Sequence, residues 1–212
     1  GQRARLLVDG RTQPDQRDQP ADEPLVQNER TRPRRGERGH FDRDAANDVL
    51  DTGLVAHVGI TTEHGPVVIP MVYGRVGTTL YLHGAPASRL LRELGTGTRV
   101  CVTVTVVDRL VMARSAFHHS VNYRSIMLFG EAHTVRDVDE KRRAFDAIVD
   151  HAFAGRSGEA RPANDSEVRK TAVLALAIHE GSVKVRTGPP VDDDDDLALA
   201  VWAGVVPLTL TE

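Results

Sequence analysis

Short β-type segments separated by turn residues constrain the fold of this chain more than any other feature. Beyond residue 52, runs rich in Val, Ile, Leu and Thr follow one another, and the first three are joined by TEHG and by a Gly-Thr pair, both of hairpin length. The segments are GLVAHVGIT (53–61), PVVIPMVYGRV (66–76), TTLYLHG (78–84), RVCVTVTVV (99–107), RLVMARSAF (109–117), NYRSIMLFGEAHTV (122–135) and VRKTAVLALAIHE (168–180). Short strands at this spacing predict an antiparallel sheet or a small barrel.

Composition allows a sizeable core and excludes some classes of partner. Apolar residues make up 40% of the chain and aromatics only 4%, so Val, Leu, Ile and Ala must fill the core. A net charge of -3 gives no support to nucleic-acid binding, and we expect no nucleic-acid partner. No apolar run approaches the roughly 18 residues that span a bilayer. We therefore expect no membrane association and a cytoplasmic location.

Cys101 is the only cysteine, which excludes an intrachain disulfide. It lies inside the strand-like run RVCVTVTVV. A buried, inert thiol is favoured there over a nucleophile.

The chain divides into a polar arm and one domain. Residues 1–38 are rich in Arg, Asp, Gln and Pro and lack apolar periodicity, so we expect a flexible arm. Its basic run 30–38 could touch nucleic acid, although packing of a solvated arm on its own domain is favoured. Residues 39–212 are expected to form the domain.

Helical patterns interrupt the predicted strands. One helix is predicted from Asp42 to residue 50, and a second begins near Pro86 and stops at Gly95. A third starts at Asp137, with Glu140 three residues later in a capping-box arrangement. These short helices decorate the predicted barrel.

The corner LYLHGAPASRLLRE (80–93) is the first candidate site, because a strand ends at His83-Gly84 just before a short helix. Gly84 lets the backbone approach a ligand, Ser88 supplies a hydroxyl donor, and Arg89 supplies a guanidinium that grips two phosphate oxygens. His83 would add another donor. The alternative is a helix whose arginine is simply solvated.

The second candidate is the strand start NYRS (122–125). Alternation along a strand places Asn122 and Arg124 on one face and Tyr123 and Ser125 on the other. A Tyr-Arg pair suits a planar polar ligand. The alternative is a barrel-rim strand with an ordinary surface arginine.

Three further stretches carry weaker expectations. Lys184 and Arg186 in KVRTGPP share one face of an extended segment and would suit an anion or an acidic partner surface. The acidic run 192–196 is expected to be a solvated loop, and the apolar tail that follows it is expected to return to the body or to cover a partner.

Several catalytic classes lack their motifs. There is no H-E-x-x-H, G-x-S-x-G, P-loop or strand-linked G-x-G-x-x-G pattern, so hydrolase and nucleotide-kinase functions are not supported. The nine histidines form no metal-ligand pattern, and we expect no metal site.

Four stretches together resemble the pyridoxamine 5'-phosphate oxidase-like superfamily of FMN-binding split barrels, nearest its nitroimidazole-resistance-type, flavin-nucleotide-binding branch. They are PVVIPMVY, LYLHGAPASRLLRE, SVNYRSIMLFGEA and VRKTAVLALAIHEGSVKVRTGPP. Their order and spacing match over roughly residues 40 to 190. The resemblance implies a mainly β fold: a six-stranded antiparallel split barrel of Greek-key topology with two to four short helices.

The same resemblance implies a homodimer with two FMN sites at its interface. It places the flavin ring along Val68, Ile69, Pro70, Met71 and Val72. It places the phosphate near His83, Gly84, Ala85, Ser88 and Arg89. It brings Asn122, Tyr123, Arg124 and Ser125 close to the cofactor.

One departure narrows the implied function. The strict oxidase ends in a Trp-containing, Arg-His-rich signature that helps to hold pyridoxal phosphate, and VRTGPP does not match it. We therefore expect an FMN-dependent oxidoreductase that acts on a small planar substrate by hydride or electron transfer, rather than an oxidase of vitamin B6. The alternatives are a non-catalytic flavin or haem carrier, and a structural barrel whose basic arm binds a partner.

Overall fold

The computed structural model describes residues 22–94 and 96–209, without the side chains of Arg89, Leu90 and Thr96. The strands are β1 (Gly39–His40), β2 (Ala56–Thr62), β3 (Gly65–Met71), β4 (Tyr73–Val76), β5 (Thr79–Gly84), β6 (Thr96–Met112), β7 (Ser120–Thr134), β8 (Ala172–Ala177), β9 (Glu180–Arg186) and β10 (Gly204–Pro207). The helices are α1 (Arg43–Thr52), α2 (Arg89–Leu94), α3 (Val138–Ala152), α4 (Arg156–Glu159) and α5 (Asp165–Lys170). Short 3-10 turns occupy Gly36–Arg38, Ala116–His118 and Asp194–Asp196.

All of these strands belong to one antiparallel sheet, whose main path runs β3–β2–β6–β7–β8–β5–β4. The long strand β7 pairs with β9 along its first half and with β8 only at its end. Similarly, β6 pairs with β2 in one part and with β10 in another. The sheet therefore splits and curls into a half-barrel. The predicted mainly β fold and antiparallel split barrel are confirmed.

The number and bounds of the strands differ from the prediction. The two segments 99–107 and 109–117 form a single strand, β6, which carries a bulge next to Asp108 and ends at Met112. The expected strand 168–180 begins later, because its first residues complete helix α5. The predicted segment 66–76 is divided into β3 and β4, and β9 begins at the last residue of the predicted segment 168–180. The short strands β1 and β10 were not predicted, because each is fixed by a partner far away in the sequence, β9 and β6 respectively.

The core fills the concave side of the sheet and is almost entirely aliphatic. Its largest fully buried side chains are Tyr73, Leu50, Leu80, Leu82, Leu94, Ile126, Leu128, Leu174, Leu176, Ile178, Val49 and Val58. Helix α1 closes one side, and the Asp42 carboxylate caps it by accepting a hydrogen bond from the Ala45 N–H at 2.8 Å. The Tyr73 hydroxyl lies 2.7 Å from the carbonyl oxygens of both Leu50 and Gly53, so the one polar atom of this side chain is satisfied.

Helix α3 packs against β4 on the other side of the half-barrel. A side chain at Gly74 would bring its Cβ to 2.6 Å from the backbone of Ala147, so the close approach of strand and helix requires glycine there. Asp137 caps the helix as predicted, since its carboxylate accepts from the Glu140 N–H at 2.7 Å. Across the part of the chain that the structure covers, none of the helices has the length and hydropathy of a membrane-spanning segment.

The expected flexible arm is packed against the domain from residue 22 onward. Leu25 is 2% exposed and belongs to the core, and its N–H donates to the Phe41 carbonyl at 2.7 Å. Val26 forms a parallel bridge with Glu180, and Thr31 is also buried. The sequence favours packing of the basic run 30–38 on its own domain, but two isolated apolar residues carry no periodic pattern, so it does not identify Leu25 as a core residue. The expectation for residues 1–21 lies outside the described part of the chain.

The region after β9 combines anchored and exposed residues. Asp192 accepts from both the backbone N–H and the guanidinium of Arg114, at 2.7 and 2.8 Å, so the acidic run 192–196 is not wholly solvated. The apolar tail returns to the body through β10, where Val205 pairs with Val111. Trp202, however, stays 65% exposed.

Replacing Leu25 tests the packing of the N-terminal segment. Leu25→Ala is expected to lower the free energy of unfolding by about 2–5 kcal/mol, because it removes buried methyl groups and leaves a cavity. Val26→Ala, at the half-exposed neighbouring position, is expected to cost less than about 1 kcal/mol. Urea unfolding of both variants provides the measurement, and a negligible effect of Leu25→Ala would show that the segment does not contribute to the core.

Candidate functional site

The first residues of β7 send their side chains to opposite faces of the sheet, as the alternation predicts. Asn122 is buried and Arg124 reaches back towards α1, on the core side. Tyr123 lies beneath Lys184 of β9, whose Nζ is 5.6 Å from the ring centroid. Ser125 lines a groove on the outer side of the sheet. The predicted NYRS site is therefore divided between two environments.

Arg124 is held by two carboxylates of its own chain. Its Nε and Nη2 donate to the two oxygens of Asp108, at 3.2 and 2.9 Å, and its Nη1 donates to Asp48 of α1. The hydrogen bonds to Asp108 are the main cause that raises the pKa of Arg124, and Asp48 adds to the effect. The charge expected to face a ligand is thus already paired within the fold.

Asn122 positions a different arginine. Its Nδ2 donates to the Gly188 carbonyl at 2.9 Å, and its Oδ1 accepts from Nη1 of Arg186 at 2.6 Å. The same Nη1 lies 3.3 Å from the Val121 carbonyl oxygen. Arg186 is therefore fixed by neutral acceptors, which orient the guanidinium without cancelling its charge.

The outer face of the sheet carries three neighbouring cavities. One of about 310 Å³ includes Val68, Gly59, Cys101 and Phe129 in its lining. The next, of about 430 Å³, is lined by polar strand residues, among them Thr103, Thr105, Ser125 and Ser182. The third, of about 460 Å³, shares Arg34 and Lys184 with the second. These cavities form a discontinuous groove across strands β3, β2, β6, β7 and β9.

Cys101 lies on this outer face rather than in the core. It is half-buried, and desolvation raises the pKa of its thiol. The thiol is therefore less buried than the sequence predicts. Its raised pKa favours the protonated form, which is the unreactive one.

Strand β3 forms an edge of the sheet and carries the first group of predicted site residues. Within the described residues it pairs only with β2. Pro66 and Pro70 lack an N–H, so they suit positions whose backbone groups point away from the partner strand. Val68 lies midway between them, which directs its N–H and C=O outward as well. Its side chain is 63% exposed.

The β5–α2 corner carries the second predicted group. An added Cβ at Gly84 would lie 2.7 Å from Cδ1 of Leu91, so a larger residue there would displace the end of the leucine side chain. Ser88 precedes the helix and donates its N–H to the Ala85 carbonyl at 2.8 Å. The Arg89 side chain lies outside the described residues, so its predicted contact with phosphate stays a prediction.

His83 reaches solvent in part at this corner. Desolvation of its ring nevertheless lowers the pKa of the imidazole. The corner as it stands therefore disfavours the charged form of the imidazole.

The structure brings only some of the predicted residues together within one chain. Val68 shares the outer face with Tyr123 and Ser125. His83 lies on β5, which pairs with β4, and β4 follows β3 after the single residue Val72. The sequence did not single out Thr103 and Thr105, because threonines in a strand-like run are ordinary. The described residues contain no group of three His, Cys, Asp or Glu side chains arranged to hold a metal ion.

The comparisons with known proteins agree on one family. A family model described as pyridoxamine 5'-phosphate oxidase matches residues 42–185. The solved structure of the flavocytochrome Anf3 from Azotobacter vinelandii is 37% identical, with a TM-score of 0.80, and the match covers 89% of this chain and 88% of that one. No curated protein gives a significant match.

Two further solved structures extend the comparison. The FAD and heme binding protein from Mycobacterium smegmatis is 41% identical, with a TM-score of 0.76 and coverage of 81% of this chain and 84% of that one. A candidate 5-nitroimidazole antibiotic resistance protein from Bacteroides thetaiotaomicron is 27% identical, with a TM-score of 0.59 and coverage of 69% and 86%.

The environment of His83 predicts a pH dependence of stability. Its pKa in the folded protein should lie below the ordinary value of about 6.5, because the corner disfavours the charged ring. As the pH falls below the ordinary value of about 6.5, the histidine of the unfolded state takes up a proton before that of the folded state, so the free energy of unfolding decreases. An NMR titration of the His83 ring, assigned with the His83→Gln variant, measures this pKa. A value at or above 6.5 would contradict the prediction.

Proposed function

This chain belongs to the pyridoxamine 5'-phosphate oxidase family, and we propose that it binds a flavin and uses it to transfer hydride or electrons to or from a small planar substrate. Membership rests on the family model, which spans residues 42–185, and it bears out the resemblance drawn from the sequence. The observation that carries the functional proposal is the outward-facing backbone of β3 at the edge of the sheet.

The edge of β3 fits the polar side of a flavin ring. An isoalloxazine presents donors and acceptors along one edge, and an unpaired strand offers the complementary backbone groups. Between two prolines that donate nothing, Val68 supplies one N–H and one C=O on the open side of β3. The exposed Val68 side chain adds an apolar contact for the ring.

The β5–α2 corner would hold the flavin phosphate, as the family resemblance implies. Gly84 keeps the corner open, and Ser88 and Arg89 supply a hydroxyl and a guanidinium to the phosphate oxygens. A neutral His83 would donate one hydrogen bond there without changing the net charge of the site.

The bound flavin would supply the redox chemistry, and the protein would bind, orient and shield it. Arg124, which the resemblance brings close to the cofactor together with its neighbours, is committed to Asp48 and Asp108, so we assign it a positioning role behind Tyr123 and Ser125. VRTGPP lacks the pyridoxal phosphate signature, and vitamin B6 is not proposed as the substrate.

A second candidate function is the joint carriage of FAD and haem without turnover of a small substrate. Two solved structures that are 37% and 41% identical favour it, since one is a flavocytochrome and the other a FAD and heme binding protein. FMN, expected from the sequence, and FAD are therefore competing cofactors in this proposal.

We further propose that the active form is a homodimer with its flavin sites at the interface, in the cytoplasm. Exposed apolar residues of the C-terminal segment, with Trp202 at 65% and Val191 at 71%, would be covered by a second copy.

The absorption spectrum of the purified protein tests the proposed function. We expect flavin bands in the protein as isolated, or after addition of FMN or FAD, and a Soret band in addition if the second candidate holds. Bleaching of the flavin bands by NADH or NADPH under anaerobic conditions would identify an electron donor. Protein that stays colourless with both flavins would refute the proposal.

The phosphate corner can be tested with two arginines of α2. Arg89→Ala is expected to weaken FMN binding by about 1.5–3 kcal/mol, the range for a hydrogen bond to a charged group. Arg92→Ala removes the same charge from the last turn of α2 and should leave the affinity nearly unchanged. Fluorescence titration with FMN measures both, and equal affinities would show that Arg89 is a solvated surface residue.

A further inference from the structure

A strongly basic cavity lies at one end of the outer face. The N-terminal segment contributes Arg34, Arg35 and Arg38, and strand β9 contributes Lys184 and Arg186. The strand pairing of β1 with β9, in which Gly39 is opposite Lys184, brings these two stretches together. The cavity measures about 460 Å³ and also includes His118, His119 and Ser120 in its lining.

These five cations have no carboxylate partner within the region that the structure describes. Many other arginines do have one: Arg30, Arg75, Arg99, Arg114, Arg124, Arg142, Arg156 and Arg161 each form an ion pair with Asp or Glu. Two carboxylates of the acidic run have other partners: Asp192 pairs with Arg114, and Asp193 lies 3.2 Å from Nε2 of His118, which is part of the cavity lining. The cavity therefore concentrates positive charge.

Two of the cations are fixed in place by neutral groups. Arg186 is held by the oxygens of Asn122 and Val121, and Lys184 lies over the ring of Tyr123. Burial is the main cause that lowers the pKa of Arg186, and the like charges of Arg38 and Arg35 contribute to it. A cavity that holds several cations close together without carboxylates to neutralise them is complementary to a multiply charged oxyanion.

We propose that this cavity holds the two propionates of a haem, at a place separate from the β5–α2 corner. The inference deepens the second candidate of the proposed function and rests on it. The pyrophosphate of FAD does not suit a separate place, because one of its two phosphates is the phosphate that FMN also carries and would lie at the corner. The polar groove of Thr103, Thr105 and Ser125 adjoins the cavity through Arg34 and Lys184 and provides space for the rest of the ligand.

A charge-removing double variant tests the proposal. Arg35→Gln with Lys184→Met removes two cations of the cavity, whereas Arg136→Gln with Arg143→Gln removes two exposed cations before and on α3 as a matched control. Titrations with FMN, FAD and haemin give the dissociation constants of both variants and of the wild type. Circular dichroism and thermal unfolding establish that each variant is folded.

We expect the cavity variant to lose about tenfold or more in affinity for haemin, while FMN and FAD change by less than about threefold. A loss confined to haemin identifies the propionates as the ligand groups. Unchanged affinity for haemin, or an equal loss for FMN, would overturn the separate site. Wild-type protein that binds no flavin would instead refute the proposed function.

A second measurement uses the wild-type protein alone. Addition of inorganic pyrophosphate, a multiply charged oxyanion that stands in for the two propionates, is expected to shift the NMR signals of the Arg35 and Arg38 side chains, and the shift should weaken with increasing salt. Pyrophosphate that leaves these signals unchanged at low salt would overturn the proposal even if the double variant fails to fold.

Discussion

The antiparallel ladder between β6 and β7 is the interaction on which the rest of the structure depends. It runs from Thr96 opposite His133 to Val111 opposite Ser120, so these two strands are the longest in the sheet. On its other edge β6 is shared by β2 and β10, and the other edge of β7 is shared by β8 and β9. The sheet consequently splits, curls around an aliphatic core on one side and leaves a broad grooved face on the other. Both the core and the candidate site follow from that division.

Elements stabilised by nearby residues are the ones that the sequence predicts well. Asp137 caps its helix as expected, and Asp42, predicted as the start of its helix, caps α1 in the same way, because a capping hydrogen bond spans only three residues. Helix α5 has an equally local capping box between Asn164 and Glu167. The sequence nevertheless predicts a strand over its last residues, because they lead into a long aliphatic run. The bulge beside Asp108 depends on a distant partner instead. In the sequence, the break in the apolar pattern at Asp108 looks like a turn, and only the pairing with β7 shows that it is a bulge within one strand.

The candidate site is predictable only in part, for a related reason. The alternation of side chains along a strand assigns Tyr123 and Ser125 to one face of the sheet, but it does not predict which residues contact that face or the opposite one. The partner of Arg124 in α1 lies 76 residues away, and Arg30 reaches Glu180 across 150 residues. The basic run 30–38 and the Lys184 patch each look weak alone, and they become one surface only through the pairing of β1 with β9.

The half-buried guanidinium groups of Arg124 and Arg186 have opposite kinds of hydrogen-bond partner, charged for the first and neutral for the second. Arg124 receives two carboxylates, which raise its pKa and neutralise its charge inside the fold. Arg186 receives an amide and a carbonyl oxygen, which satisfy its hydrogen bonds but leave its charge beside Arg38 and Arg35. Holding like charges together without counter-ions opposes folding. The same fold neutralises Arg124 with two carboxylates but supplies none to Arg186. The uncompensated charge of Arg186 is therefore better explained by binding of an anionic ligand than by a contribution to stability.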